Sequence, residues 1–200
     1  MQNQYIEKAR DILARFEKLR SQTKWQHILT KEGTDLFKTD IPEVCPIPCY
    51  MVTTTINKPK DVLVDKIWAV NEELAKKNDP KLTMWQEIEK DNNWKVCSQY
   101  NSTMWPAWQR HTVFAQVKFD EGNSTKLVAY SIDHPKVPLQ DKTHVRTKVH
   151  MSVYDYTDNG DNTTKVTRIT QVDPCGNIPT SVVTMYSGNL VDMFNRWKEE

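Results

Sequence analysis

The run Val172-Asp173-Pro174-Cys175-Gly176-Asn177-Ile178-Pro179 leads directly into a long apolar-striped stretch that reaches Trp197. This junction constrains the fold more than any other part of the chain, because it fixes how a strand hands over to a closing helix. Proline presets φ in a turn, and glycine accepts the left-handed conformation that a β-carbon penalises. Pro179 suits a first helical turn, where its missing N–H costs nothing. Downstream, Val183, Tyr186, Leu190, Phe194 and Trp197 recur at spacings of three and four, and Val182, Val191 and Met193 widen the stripe. The pattern predicts a helix over 179–198 that is buried along its length and needs a broad apolar partner.

That partner is read upstream as a sheet. Ile6, Ala9, Leu13, Phe16 and Leu19 fall on one face of a charged helix over 1–20, which makes it an amphipathic cover. Segments 25–29 and 36–41 flank Glu32-Gly33 as a hairpin, and 50–57, rich in Thr and Val, is a third strand. After Pro59, the apolar run from Val62 to Ala75 is helical. Strands follow at 94–100, 112–119, 127–133, 145–156 and 163–172, joined by Glu121-Gly122-Asn123 and Asp158-Asn159-Gly160-Asp161 turns. His134-Pro135-Lys136-Val137-Pro138-Leu139 carries two prolines and so leaves the sheet as an ordered excursion. Helix, three strands, helix, about six strands and helix make an α+β plan: a long curved antiparallel sheet gripping its last helix.

Two hundred residues fit one domain with a sizeable core. With 27 basic against 26 acidic residues, nothing forms the electrostatic footprint of a nucleic-acid binder. The first twenty residues lack the apolar run of a secretory signal, and no stretch approaches the roughly 18 apolar residues of a membrane span. A cytoplasmic protein is expected, in which Cys45, Cys49, Cys97 and Cys175 stay thiols. The Asn101, Asn123 and Asn162 acceptor patterns then mark polar loops.

His27, His111, His134, His144 and His150 are scattered singly, with no helical His pair and no Cys-x-x-Cys, so neither a metal site nor a cofactor is expected. Residues 155–161 resemble a calcium loop, but Val166 stands where the bidentate Glu belongs, and a hairpin turn explains them better. His150 could act as a base, yet no nucleophile and orienting group accompany it.

Alternation points to a cavity. His150, Ser152 and Tyr154 share one side of their strand, and Thr112, Phe114 and Gln116 share one side of theirs. Polar groups on an inward face are costly unless they are paired or meet a ligand.

Four pieces in order carry a resemblance: Trp105-Pro106 followed by Arg110, the strand and loop over 131–138, Val145-Arg146, and the Asp-Pro-x-Gly-x-Ile-Pro entry to the last helix. With these the chain resembles a START domain, the lipid-transfer module of the helix-grip superfamily, over 1–200 as a single domain. The resemblance implies a sheet wrapped around a tunnel, a C-terminal lid helix and a single lipid inside. It implies that Trp94, Phe114, Gln116, Tyr130, Ile132, His150, Ser152 and Tyr154 line the tunnel from the strands, and Val183, Tyr186, Leu190 and Phe194 from the lid. Gln116, His150 and Ser152 are the polar contacts expected to select a head group. His134, Pro135, Val137, Pro138 and Leu139 form a gating loop expected beside the lid.

Departures from the family pattern narrow the cargo. Leu82 and Gln86 stand where members that hold phosphatidylcholine use an Arg and an Asp, and Gln116 takes the place of a deep charge, which implies a neutral tunnel. His111 replaces the usual Asp after the Arg. The expected function is binding of one sterol, phospholipid or sphingolipid and its transfer between membranes by a monomer that touches the membrane surface transiently. Covalent chemistry is not expected. The alternatives are a module that senses a lipid or small ligand without transferring it, and a cyclase or hydrolase of the superfamily using His150 or Asp133.

Overall fold

The computed structural model describes residues 2–103, 107–138, 143–178 and 187–200. Helix α1 (Gln2–Gln22) is followed by strands β1 (Gln26–Lys31), β2 (Thr34–Thr39) and β3 (Cys49–Ile56). Helices α2 (Lys60–Trp68) and α3 (Glu72–Asn78) lead into β4 (Leu82–Lys90), β5 (Trp94–Asn101), β6 (Gln109–Glu121) and β7 (Ser124–Ser131). Then come β8 (His144–Arg146), β9 (Lys148–Asp158), β10 (Thr164–Asp173) and the terminal helix α4 (Gly188–Glu199). The strands form one sheet in the order β1-β2-β3-β10-β9-β7-β6-β5-β4, antiparallel throughout except that β8 pairs with β6 in parallel.

Three elements depart from the expectation. The helix after Pro59 is two helices, because the side chain of Asn71 accepts a hydrogen bond from Leu74 N–H and caps a new start. Strand β4 was not anticipated. Its register shifts twice along β5, and such bulges break the alternation by which a strand is recognised. The single strand over 145–156 is two, with Thr147 between β8 and β9.

The pairing register gives the sheet two faces. Trp94, Val96, Val113, Ala115, Val117, Val128, Tyr130, Met151, Val153 and Ile169 share a core with Ala9, Ile12 and Phe16 of α1. We call this the outer face. Leu36, Val52, Leu127, Tyr154, Tyr156 and Val166 point the other way and pack with Leu63 and Val64 of α2 and with Val191, Met193, Phe194 and Trp197 of α4. This inner face is gripped by the last helix. Each buried aliphatic or aromatic side chain contributes about 1.5–3 kcal/mol, so both helices are held by several such contacts.

The described parts of the four sequence pieces named above meet in space. Arg110 donates from Nε to Pro174 O at 2.8 Å and from Nη2 to Cys175 O at 2.9 Å, fastening the turn after β10. In that turn Cys175 and Gly176 both have positive φ, at 54° and 71°, and Asp173 Oδ1 accepts from Cys175 N–H at 2.7 Å. A β-carbon on Gly176 would stand 3.4 Å from Arg110 Nη2 and 3.6 Å from Val145, so glycine lets the turn lie against both. Arg146 Nη2 in turn donates to Val137 O at 3.1 Å.

Candidate ligand-binding face

Beyond α2 and α4 the inner face becomes polar. Its register rows run Lys95–Gln116–Ala129–Ser152–Thr170–Tyr50 and Cys97–Phe114–Ser131 across β5, β6, β7, β9, β10 and β3. Gln116 and Ser152 are buried here, and Phe114 is partly buried. Arg168 lies on the same face, opposite Tyr154 and Val52. Its guanidinium donates to Ser152 Oγ from Nε at 3.3 Å and Nη2 at 3.2 Å, and its carbon sits 4.6 Å from the Tyr154 ring centroid. Among the described residues no carboxylate pairs with it. Tyr50, in the same register row as Ser152, and Tyr156, stacked on Tyr154 in the core under α2 and α4, have buried hydroxyls without a hydrogen-bond partner among the described residues.

The expectation of a neutral interior is therefore corrected. Arg168 and Lys95 both stand on the inner face, and both were missed. The signal was available: Thr164, Val166, Arg168 and Thr170 alternate on one strand, and Lys95 alternates with Cys97. Lys95 is 2 % exposed, and its Nζ donates to Trp68 O at 2.6 Å, with the Trp68 and Trp85 rings at 5.1 Å and 5.5 Å. It thus binds a carbonyl at the negative end of α2, and burial lowers its pKa. Burial also pushes Cys97 up to about 12, so this inner-face sulfur stays a thiol.

The other expected lining residues divide. Trp94, Tyr130 and Ile132 belong to the outer face: the Trp94 ring lies 5.1 Å from Tyr5, and Tyr130 Oη donates to Tyr5 O at 2.9 Å. Alternation groups residues by side but does not say which side is hollow. Tyr154 and Phe194 do face inward, but as filled core, with ring centroids 6.3 Å apart and Trp197 against both. Leu190 packs at the margin of that core. Val183 and Tyr186 lie outside the described residues, as do the first residues of the expected helix.

His150 keeps different company from Gln116 and Ser152. It is the extra residue where β9 bulges against β10, between the Gln171–Met151 and Val172–Val149 pairs. A bulge re-aims a side chain. The charges acting on it are Lys148, Asp173 and Arg15, the last from the helix on the outer face, and burial lowers its pKa.

The described part of the expected gating loop is pinned to β4 and the outer core. His134 is buried and its Nε2 lies 3.5 Å from Glu89, which also binds Lys136 at 2.8 Å; Val137 packs against the outer core. Pro135 and Pro138 are exposed, and Leu139 lies outside the described residues. A cavity of about 290 Å³ opens beneath Lys136, Val137 and Pro138, bounded by Met84, Gln86, Ile88, Ser98 and Tyr100.

A family model described as the START domain matches residues 16–200. The chain belongs to the START domain family. Solved structures agree on the START fold. Human StAR-related lipid transfer protein 5 superposes with a TM-score of 0.88 at 15% identity, covering 100% of this chain and 97% of that one. Human STARD10 gives 0.80 at 19% identity, covering 95% and 82%. A StAR-related lipid transfer protein fragment from Xanthomonas axonopodis gives 0.72 at 14% identity, covering 88% and 99%. No curated protein matches the sequence. Membership in the START family supports lipid binding. Among the described residues no helix is long and apolar enough to cross a membrane.

Proposed function

We propose that this START domain holds one lipid against the polar part of its inner face and carries it between membranes without covalent chemistry. The observation that carries the reading is the set of under-partnered polar groups there: Arg168, which has the Ser152 hydroxyl and the Tyr154 ring but no carboxylate beside it among the described residues, and the buried hydroxyl of Tyr50. Such groups cost folding free energy unless a ligand meets them. Gln116 and Ser152 complete the polar contacts, and Phe114 offers apolar surface beside them.

Transfer follows from a balance of apolar solvation. Each methylene taken from water is worth about 0.8 kcal/mol. A bilayer offers nearly the same gain, so exchange is close to balanced and hydrogen bonds to the head group decide which lipid is held.

Mass spectrometry of an organic extract of gently purified protein should give one lipid class at about one molecule per chain, and a vesicle assay should show its transfer accelerated. Copurification without transfer would favour a sensing module. An extract with no lipid, together with no binding from vesicles of mixed composition, would overturn the reading.

A further inference from the structure

One cluster lies apart from the lipid-binding groups. Cys45 in the 40–48 loop, His150 at the β9 bulge and Asp173 at the end of β10 present a sulfur, an imidazole nitrogen and a carboxylate oxygen, all within 4.8 Å of one another. No local spacing announces them, because a loop, a bulge and a turn bring them together.

Each group is held in a way that suits a ligand. Cys45 is 3 % exposed, and Ile47 N–H donates to its sulfur at 3.4 Å, the contact a thiolate uses for support. Asp173 is oriented by Cys175 N–H on Oδ1. Among the described residues the buried His150 Nε2 has no partner, so its donor or lone pair is unspent.

We propose that Cys45, His150 and Asp173 bind a zinc-type divalent cation, with water in the fourth position. Thiolate, imidazole and carboxylate together suit a borderline-soft ion, whereas calcium and magnesium demand oxygen ligands. Ligand atoms around a tetrahedral zinc lie about 3.5 Å apart, so the three groups need to close by about 1 Å. Binding releases the Cys45 proton to solvent. The ion ties the 40–48 loop to β9 and to the turn that Arg110 fastens, and it stabilises the folded chain by mass action. This site shares no residue with Gln116, Ser152 and Arg168, so it stands or falls separately from the lipid reading.

Cobalt(II) added to the metal-free full chain is the probe. The expected result is a near-ultraviolet thiolate-to-cobalt charge-transfer band with visible bands of a four-coordinate ion, saturating at about one equivalent and bleached by zinc(II). Cys45→Ser should abolish the charge-transfer band, and His150→Gln should weaken cobalt binding at least about tenfold. Cys175→Ser and Cys97→Ser should keep the spectrum. No band in the unmodified chain, or a band that survives Cys45→Ser, overturns the proposal. Should circular dichroism show Cys45→Ser unfolded, His150→Gln decides: unchanged cobalt affinity in that variant overturns it equally.

Discussion

The two faces of this sheet are built from the same strands and differ in what their polar atoms do. On the outer face, α1 lays Ala9, Ile12 and Phe16 on a continuous apolar surface, and Tyr130 spends its hydroxyl on the helix backbone. On the inner face, α4 fills one part with Phe194 and Trp197, and beyond them stand a guanidinium with no carboxylate and the Tyr50 hydroxyl with no partner among the described residues. A closed interface satisfies its polar groups, whereas a binding surface keeps some in reserve. Stability should therefore be concentrated on the outer side and the core under α4, and selectivity on the polar part of the inner side.

The largest effect should separate the faces outright. Phe16→Ala empties a fully buried position under α1 and should cost about 3–5 kcal/mol in denaturant unfolding. Phe114→Ala, at a partly buried inner position, should cost less than about half of that and should alter lipid retention instead. Equal losses would mean the inner face is packed as solidly as the outer, and the contrast would collapse.

Arg168→Met is next. A charged hydrogen bond is worth about 1.5–3 kcal/mol, so retention of the copurifying lipid should fall about tenfold or more, measured by competition with vesicles. The unfolding midpoint should barely move, because the guanidinium has no ion pair to lose among the described residues. A large stability loss with unchanged lipid retention would make Arg168 a structural residue.

A pH titration reports on the outer side. His111 stacks on Tyr100 with ring centroids 4.0 Å apart and shares a 2.8 Å hydrogen bond with Ser98; burial, then Arg146 and His144, hold its pKa down to about 4. The ordinary value is 6.5, so its contribution to stability is complete above 6.5 and is lost as pH falls from there toward 4. The thermal midpoint should drop across that window, and His111→Gln should flatten the drop. An identical profile in the variant would assign the acid sensitivity to other groups.

Much of this architecture was legible in the chain. The stripe from Ile6 to Leu19, the Asp173–Gly176 turn and the central strands follow from periodicity and turn chemistry, which are local. Which face was free was not legible. Trp94 and Tyr130 alternate as an inward residue would, but apolar helix faces cover both sides and alternation does not tell them apart. His150 escaped because a single extra residue in β9 re-aims it, and pairing register is a property of two strands rather than one. Arg168 does alternate with Val166 and Thr170, but its separation from carboxylates among the described residues exists only in three dimensions.

The smallest effect tests how the inner polar groups cooperate. Ser152 Oγ accepts from both Nε and Nη2 of Arg168, so the serine fixes where the guanidinium points. If its role is positioning, Ser152→Ala should weaken lipid binding by about 0.5–1.5 kcal/mol when Arg168 is present and by almost nothing when Arg168 is already methionine. A double-mutant cycle on lipid affinity measures that coupling. Additive losses would instead mean that Ser152 meets the lipid on its own account, which would move the head group toward β9 and leave Arg168 one contact among several.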